Sequence, residues 1–337
     1  MKAVVLVGGE GTRLRPLTET IPKPLLPFMN RPFLDHVLDH LARHGVEEAI
    51  LSSSYLESQF HGYLVSRAGG PRVAWITEEQ PLGTCGAIVG ARHHLNGTFF
   101  VLNGDVLTDL DLGMLLDAHR ERGAVATIAL THVADARPFG LVDRAGDGRV
   151  EAFREKPADP IPGDVNAGTY VLEPRALQGV PRGVAVSIER ETFPGLIAEG
   201  QPVYGVVWSG YWRDLGTPQA YLQAHVDALE GKVGARRYPA PLVGEGVRVD
   251  DGALVDRDVV LADAVAVGAG ARVARSVAHR GAAIGNGATV EGSILGPGTV
   301  VEPGALVTGS VLAEGARVAS EARLTGVLVS AGHVAGG

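Results

Sequence analysis

Cysteine is almost absent from this chain, and its scarcity bears on the compartment in which the protein works. Cys85 is the single cysteine among 337 residues, so an internal disulfide framework is excluded. A chain without disulfides is typical of a reducing compartment, and we expect a cytoplasmic protein. No apolar run approaches the length that spans a membrane, and the first apolar stretch lacks a signal-peptide pattern. We therefore expect no membrane partner.

Positive charge is also scarce, which limits the partners of the protein. The formal net charge is −8, and lysine and arginine form no block anywhere in the chain. This charge distribution argues against a nucleic-acid partner. An anionic substrate must therefore be held by a few local cations rather than by the field of the whole protein. The length of 337 residues predicts two domains.

Glycine is abundant, with 46 residues, and its first cluster follows an apolar stretch near the N-terminus. Residues 3–7 form a valine-rich run, which predicts a buried strand. Three of the next four residues are glycine, so the backbone there can approach a ligand and turn its N–H groups toward it. Arg13 and Lys23 add positive charge to the same stretch. The combination predicts a polyphosphate cradle, although a tight turn with surface arginines has the same pattern.

Two other polar features are candidate metal sites. The apolar run 99–102 ends at Asn103 and Asp105, at the carboxyl end of a predicted strand, where ligands bind in open α/β sheets. A carboxylate in that position can hold Mg²⁺ beside phosphates, although turns use the same residues. His36, His40 and His44 follow one another at helical spacing, so a metal site is conceivable there, but a histidine stripe beside an apolar helix face is the simpler interpretation.

The periodicity of the chain changes from about residue 243 onward. Small residues stand two positions before many of the aliphatic residues, as at Ala271, Ala288 and Ala305. A six-residue period with small inward residues predicts a left-handed parallel β-helix of roughly five coils. After a slip in phase the period resumes and continues to Leu324; its first members are Val243, Val249, Val255, Leu261, Val267 and Val273.

The glycine-rich stretch is part of a long and specific motif. It reads Gly8-Gly9-Glu10-Gly11-Thr12-Arg13-Leu14-Arg15-Pro16-Leu17-Thr18, followed by Pro22-Lys23-Pro24. It is not a P-loop, because no Gly-Lys-Ser/Thr follows. The motif resembles the signature of the sugar-1-phosphate nucleotidylyltransferases. Further matches follow in the family's order at residues 82–86, 103–105, 155–157, 166–168 and 210–218, and residues 187–194 resemble the mannose-1-phosphate guanylyltransferase branch.

The resemblance implies an α/β fold with a definite domain order. A Rossmann-like nucleotidyltransferase domain with a mixed sheet is expected over residues 1–231. A linker over residues 232–242 and a C-terminal left-handed parallel β-helix over residues 243–337 are expected to follow. Because every implied catalytic residue precedes Gly231, we expect the tail to stay apart from the chemistry. We expect it instead to form homo-oligomer contacts, since the ends of a short β-helix need protection.

The resemblance also implies the reaction, in which a nucleoside triphosphate and a sugar 1-phosphate give a nucleotide sugar and pyrophosphate. GTP and mannose 1-phosphate are the expected substrates, with Mg²⁺ as cofactor. The implied catalytic residues are Arg13, Lys23, Asp105 and Asp214, and the two aspartates are the implied metal ligands. The implied nucleotide-binding residues are Leu6, Gly8, Gly9, Gly11, Thr12, Glu79, Gln80, Gly83 and Gly104. The implied sugar-phosphate-binding residues are Gly140, Glu155, Lys156 and Asn166.

Three alternatives stay open at the level of sequence. The same reaction could use another sugar 1-phosphate, or dTTP, UTP or ATP. The chain could be a non-catalytic paralogue that senses a nucleotide sugar and regulates a partner, although the intact set of implied catalytic residues argues against this. Acyltransferase activity is often found in left-handed β-helices, but His279 and His333 in the tail stand in no pattern that indicates catalysis.

Overall fold

The computed structural model describes residues 1–53 and 57–336, so Gly337, the last residue of the predicted β-helix, lies outside the described residues. The chain forms two compact units. The first contains Met1–Gly9 and His36–Trp212, and the second contains Glu10–Asp35 and the chain from Arg213 onward. Within the described ranges no helix has both the length and the apolar character needed to cross a membrane.

The N-terminal two thirds of the chain alternate strands and helices. The strands are β1 Lys2–Leu6, β2 Pro27–Phe28, β3 Arg31–Pro32, β4 Glu48–Ser53, β5 Arg72–Thr77, β6 Phe99–Asn103, β7 Val106–Thr108, β8 Ala126–Val133, β9 Gly140–Arg144, β10 Val150–Glu155, β11 Gly163–Leu172, β12 Val203–Val207 and β13 Trp212–Asp214. The α-helices are α1 Phe33–Arg43, α2 Glu57–Ser66, α3 Gly83–Gly90, α4 Leu112–Glu121, α5 Phe193–Ala198 and α6 Pro218–Leu229. Short 3₁₀ turns cover Thr12–Leu14, Lys23–Leu25, Ala91–His94 and Pro174–Leu177.

A nine-stranded mixed sheet forms the centre of the first unit. Its main path runs β10-β9-β11-β6-β1-β4-β5, and β8 pairs with both β11 and β12. Strands β6, β1, β4 and β5 are parallel neighbours, whereas β11 runs antiparallel to β6. The apolar runs of β1, β4 and β6 are buried on both faces, as expected for the parallel part of such a sheet. The predicted Rossmann-like mixed sheet is therefore confirmed.

Side chains cap the starts of two helices. Thr217 Oγ1 accepts a hydrogen bond from Ala220 N at 3.2 Å and caps α6, which begins at Pro218. Ser187 caps the helix that follows it, since its Oγ accepts from Arg190 N at 3.2 Å. That helix begins with a π turn, Ile188–Thr192, which the sequence did not predict. The wider turn lets Glu191, rather than residue 190, close the cap by accepting from Ser187 N at 2.8 Å.

The tail winds into the predicted left-handed β-helix, with parallel strands in three faces. The first face contains Leu242–Val243, Val260–Leu261, Val277–Ala278, Ile294–Leu295, Val311–Leu312 and Leu328–Val329. The second face contains Arg248–Val249, Ala266–Val267, Ala283–Ile284, Val300–Val301, Arg317–Val318 and Val334–Ala335. The third face contains Leu254–Val255, Arg272–Ala274, Thr289–Glu291, Leu306–Thr308 and Arg323–Thr325. Faces of six, six and five strands make five complete coils, in agreement with the period.

The slip in the six-residue phase has a structural cause. Between the first two coils, Glu245 N bonds to Asp263 Oδ1 across 18 residues, whereas later coils repeat every 17. In the later coils, the corner between the third and first faces is one residue shorter. At this corner a serine hydroxyl accepts a hydrogen bond from a backbone N–H of the next coil. Ser276 Oγ accepts from Ser293 N, and Ser293 Oγ accepts from Ser310 N, both at 3.1 Å. The serines replace a backbone partner that the shorter corner cannot supply.

Candidate active site

Gly8 and Gly9 of the N-terminal motif follow the carboxyl end of β1 in the first unit. β1 ends at Leu6, which pairs with Asn103 at the end of β6. Gly104 N donates a hydrogen bond to Leu6 O at 2.9 Å, and a Cβ at Gly104 would lie 2.8 Å from the same oxygen. Gly9 has open space around it. Glycine at residue 104 is thus required for the two strand ends to meet, and Gly9 leaves room beside them.

A pocket of about 420 Å³ opens beside the end of β4 and holds two predicted nucleotide-binding residues, Glu79 and Gln80. Glu78, which the sequence did not single out, shapes its wall. Glu78 Oε1 accepts from Ser52 Oγ at 2.8 Å, and its Oε2 accepts from Leu82 N at 3.0 Å. The volume suits a small planar ligand. The lining residues are Ser52, Ile76, Thr77, Glu78, Glu79, Gln80, Leu82, Gly90, Arg182 and Gly183.

Gly83 and Gly86 allow the backbone of residues 184–186 to pack closely against α3. A Cβ at Gly83 would lie 2.8 Å from Val186 O, and one at Gly86 would lie 2.6 Å from Val184 O. The backbone of residues 184–186 therefore lies directly against both glycines. Between these glycines, burial raises the pKa of the Cys85 thiol, which disfavours the thiolate that a nucleophile requires.

Three predicted sugar-phosphate residues come together at the β9–β10 hairpin. Gly140 pairs with Glu155, and a Cβ at Gly140 would lie 2.7 Å from Glu155 Oε2. Lys156 has a left-handed backbone (φ 52°), and its Nζ lies 3.7 Å from Glu155 Oε1. Asn166 lies on β11 directly after Val165, which pairs with Leu141 of β9. The four predicted residues therefore share one region of the sheet.

A polar network that sequence reasoning missed joins Asn166 to the glycine-rich stretch at α3. Asn166 Nδ2 donates to Tyr170 Oη at 2.7 Å, and Tyr170 Oη donates to Glu189 Oε1 at 3.4 Å. Glu189 Oε2 accepts from Thr84 Oγ1 at 2.8 Å and from Ser187 Oγ at 2.9 Å. Burial raises the pKa of Tyr170 well above its usual value, so its hydroxyl stays protonated. The network fixes Asn166 and Thr84 through one shared carboxylate.

The second unit brings together three of the four predicted catalytic residues. Arg13 Nη2 lies 3.6 Å from Asp214 Oδ2, and Lys23 Nζ lies 3.7 Å from Asp214 Oδ1. The Lys23 side chain is 9% exposed, whereas that of Arg13 is 61% exposed. Gly216 permits this arrangement, since a Cβ there would lie 2.6 Å from Arg13 Nη2 and 2.8 Å from Asp214 Oδ1. The Lys23 side chain is therefore held in a buried position, whereas the Arg13 side chain extends toward solvent.

The backbone around the predicted nucleotide residues Gly11 and Thr12 fixes the arginine. Gly11 adopts a left-handed conformation (φ 63°) immediately before the 3₁₀ turn Thr12–Leu14. Gly11 O accepts hydrogen bonds from Leu14 N at 2.9 Å and from Thr18 Oγ1 at 2.8 Å. A residue with a Cβ would be strained at this φ. Gly11 is thus required at the turn that presents Arg13.

Asp105, the fourth predicted catalytic residue, belongs to the first unit, beyond the end of β6. Its neighbour Asn103 has a buried Oδ1 with no hydrogen-bond partner among the described residues. The histidine stripe offers no comparable site. His40 is buried, its pKa is lowered by burial to about 3, and His44 Nδ1 contacts the carbonyl of His40 at 2.9 Å. The described part of the chain contains no cluster of three or more His, Cys, Asp or Glu side chains that could hold a metal ion.

Comparison with known families covers nearly the whole chain. Residues 2–231 match the family described as Nucleotidyl transferase, and residues 238–333 match the GMPPB C-terminal domain. The chain belongs to the nucleotidyl transferase family. The first match spans the glycine-rich motif and the residues of the sheet edge, the hairpin and the Arg13–Lys23–Asp214 cluster. All residues of the candidate site therefore lie within the region that matches the nucleotidyl transferase family.

Two curated relatives of this nucleotidyl transferase are both named mannose-1-phosphate guanylyltransferase. A mannose-1-phosphate guanylyltransferase of Mycobacterium tuberculosis is 44% identical over 278 residues, covering 80% of this chain and 76% of the relative. Mannose-1-phosphate guanylyltransferase 1 of Arabidopsis thaliana is 37% identical over 297 residues, covering 83% of this chain and 82% of the relative. Both alignments are longer than the first family match alone.

Solved structures share the fold of the nucleotidyl transferase. HddC from Yersinia pseudotuberculosis superposes with a TM-score of 0.60 at 30% identity, covering 66% of this chain and 97% of HddC. A second structure of HddC, complexed with GMP-PN, gives a TM-score of 0.59 at the same identity. Because HddC is covered almost entirely and this chain by two thirds, the likeness leaves about a third of this chain unmatched.

Proposed function

We propose that this nucleotidyl transferase joins GTP to mannose 1-phosphate and releases pyrophosphate, giving GDP-mannose. The single observation that carries the proposal is the cluster of Arg13, Lys23 and Asp214, because two cations beside one carboxylate suit a polyphosphate substrate. The names of the curated relatives support the choice of base and sugar. The HddC complex with GMP-PN supports a guanine nucleotide in a protein of this fold.

The proposed chemistry needs charge neutralisation more than it needs a base. A phosphate oxygen of mannose 1-phosphate attacks the α-phosphorus of GTP in line, and the bond between that phosphorus and the bridging oxygen of pyrophosphate breaks. The attacking oxygen is already anionic, so no proton has to be removed. We assign Arg13 to the leaving pyrophosphate, since its exposed side chain can follow a departing group, and Lys23 to the α-phosphate.

We propose Mg²⁺ as the metal, with the carboxylates of Asp105 and Asp214 as its protein ligands. The donor chemistry fits, because Mg²⁺ takes hard oxygen ligands and usually binds through one or two carboxylates plus substrate phosphates. The buried, unpartnered Oδ1 of Asn103 is an additional oxygen close in sequence to Asp105. When bound, the ion would offset phosphate charge that the two cations leave uncompensated.

We assign the remaining predicted residues by their positions in the first unit. Glu155 suits the sugar hydroxyls as a hydrogen-bond acceptor, and Lys156, which is half exposed, suits the sugar phosphate. Asn166, held by Tyr170, is the further sugar contact, and Gly140 makes room for the Glu155 carboxylate. The pocket with Glu79 and Gln80 is the proposed base site.

We also propose a cytoplasmic homo-oligomer in which the β-helix carries subunit contacts and residues 1–231 carry the chemistry. The terminal coils support this arrangement, since they leave aliphatic side chains exposed at both ends of the stack. Val249 and Leu254 are exposed in the first coil, and Leu328 and Val334 in the last. Apolar coil ends of repeat stacks are normally capped or buried.

A pyrophosphate-release assay over a grid of nucleoside triphosphates and sugar 1-phosphates tests the proposal. GTP with mannose 1-phosphate should give the highest kcat/KM. A higher value for dTTP, UTP or ATP, or for another sugar 1-phosphate, would move the assignment to that pair. Nucleotide-sugar binding without pyrophosphate release on any pair would favour the non-catalytic regulator.

A further inference from the structure

The segment that carries Arg13 and Lys23 packs on the β-helix within the second unit. Leu14, Leu17 and Leu26 are buried and form one apolar cluster with Ile294 and Val311 of the first face. Tyr221 of α6 completes this group, which we call the anchor cluster. The tail therefore packs directly against the segment that carries the two cations, which the sequence did not predict.

The first face of the β-helix has an aliphatic outer surface that is partly buried by other elements of the second unit. In its two-residue strands the second residue points into the coil, as Leu295 and Leu312 do, and the first residue points outward. The outward Ile294 and Val311 are nevertheless only 1% and 5% exposed. The outward residues of this face are all aliphatic: Leu242, Val260, Val277, Ile294, Val311 and Leu328.

The outward positions of the other two faces have a different character. Exposed arginines occupy outward positions there: Arg248 and Arg317 on the second face, and Arg272 and Arg323 on the third. Leu328 on the first face is 60% exposed, which marks the last coil as the limit of the covered area. Ile294 and Val311 thus belong to the anchor cluster, and the covered area ends before the last coil.

Polar contacts reinforce the same attachment. Tyr221 Oη donates a hydrogen bond to Pro27 O and lies 3.3 Å from Nε2 of the buried His279. Asn30 Nδ2 donates to Leu261 O on the first face at 3.1 Å. Residues 27–30 are therefore tied to two coils directly or through α6. A segment with a short 3₁₀ turn at each of its functional residues gains its rigidity from these contacts.

Arg13 is adjacent in sequence to the anchor residue Leu14, and Lys23 lies one 3₁₀ turn before the anchor residue Leu26. Arg13 precedes Leu14 in the turn Thr12–Leu14, and Leu17 N donates to Leu14 O at 3.1 Å. Lys23 begins the turn Lys23–Leu25, and Leu26 N donates to Lys23 O at 3.2 Å. A shift of Leu14 or Leu26 therefore moves the adjacent backbone from which the cation extends.

We infer that the first face of the β-helix positions the catalytic cations, with Ile294 and Val311 as positioning residues that act through Leu14, Leu17 and Leu26. This inference rests on the proposed function for its catalytic consequence. A misplacement of about 1 Å can cost on the order of 100-fold in rate. The loss should therefore appear mainly in kcat, since the anchors touch neither substrate.

The test compares outward with inward residues of the same strands. Ile294→Ala and Val311→Ala remove anchor contacts, whereas Leu295→Ala and Leu312→Ala are matched controls that open cavities inside the coil. All are assayed on the full chain at a temperature where circular dichroism gives a fully folded protein. We expect the anchor variants, alone or combined, to lower kcat by about 10-fold or more. The controls should lower Tm while keeping kcat within about twofold, and Ile294→Val should restore most of the rate.

Hydrogen exchange gives a second readout that does not need activity. The amides of Leu14, Leu17 and Leu26 should exchange faster in the anchor variants and at the wild-type rate in the controls. Equal kcat losses in anchors and controls, or unchanged exchange in the anchor variants, would overturn the inference. If the wild-type protein itself releases no pyrophosphate on any substrate pair, the proposed function fails. The exchange data then decide separately whether the first face orders the segment.

Discussion

Replacing Asp214 with asparagine perturbs the cluster that carries the functional proposal. The substitution keeps the shape of the side chain and removes the charge that lies 3.6 Å from Arg13 and 3.7 Å from Lys23. At 3.7 Å and an effective dielectric of about 20, the attraction of Lys23 to the carboxylate is about 4 kcal/mol before desolvation. The exposed Arg13 should contribute less than about 1 kcal/mol, because solvent screens it.

The net effect on folding should be smaller than the effect on turnover. Desolvation offsets much of the attraction, so we expect Asp214→Asn to lower the free energy of unfolding by about 1–3 kcal/mol. Turnover should fall by a factor on the order of 10³ or more, because the substitution removes a proposed metal ligand and loosens both cations. Stopped pyrophosphate-release assays over a Mg²⁺ titration, with thermal unfolding on the same samples, measure both quantities.

Asp227→Asn is the matched control for this experiment. Asp227 is also a carboxylate between two cations, with Oδ2 2.9 Å from Arg213 Nη2 and Oδ1 3.7 Å from Lys232 Nζ. It is 4% exposed and lies on α6, and it is not among the residues assigned to substrate or metal. The control should lose as much stability as Asp214→Asn or more, and keep turnover within a few-fold. If Asp214→Asn keeps its rate and its Mg²⁺ dependence, the assignment of Asp214 is refuted.

Three further predictions follow from single contacts. Arg13→Ala should lower kcat by on the order of 10²–10⁵ with a smaller effect on KM, and near wild-type turnover would remove its role in pyrophosphate departure. Glu189→Gln should raise the KM for the sugar phosphate by roughly 3- to 10-fold, because a carboxylate that fixes Tyr170 and Thr84 becomes a weaker acceptor; an unchanged KM would make the network purely structural. His279 has its pKa lowered by burial to about 3, with His225 as a further cause, so its neutral form stabilises the fold. Since the folded pKa lies below the unfolded value of 6.5, this stability is complete above pH 6.5 and is lost as the pH falls toward 3. His279→Gln should therefore remove about 2 kcal/mol of the stability difference between pH 7 and pH 5, and an identical pH profile would contradict this reading.

Local patterns predicted much of the fold. The valine-rich run at β1 and the six-residue period of the tail each depend on neighbouring residues, so sequence alone indicated them. The slip in the period after Val273 was visible as well, but its cause was not. It depends on serine side chains that meet the next coil, 17 residues away.

Long-range packing was beyond the reach of those patterns. The glycine-rich motif predicted a cation cradle, but nothing near Leu14 or Leu26 indicated that their partners are Ile294 and Val311. The aliphatic outward positions of the first face carried the missing signal. A coil needs one inward residue in each strand, so a second aliphatic beside it in every coil implies a covered surface. The Asn166–Tyr170–Glu189 network escaped notice for the same reason, because Glu189 and Thr84 lie on different elements from the strand that carries Asn166 and Tyr170.

The fate of the individual phosphates of GTP tests the central claim most directly. Reactions of the full chain with mannose 1-phosphate and Mg²⁺ are run in parallel with GTP labelled at the α-phosphate and GTP labelled at the γ-phosphate, and the products are separated. Nucleotidyl transfer predicts that the α label appears in GDP-mannose and the γ label in pyrophosphate. Appearance of the γ label in the sugar product, or full retention of both labels in GTP under conditions where the protein binds it, would contradict the account.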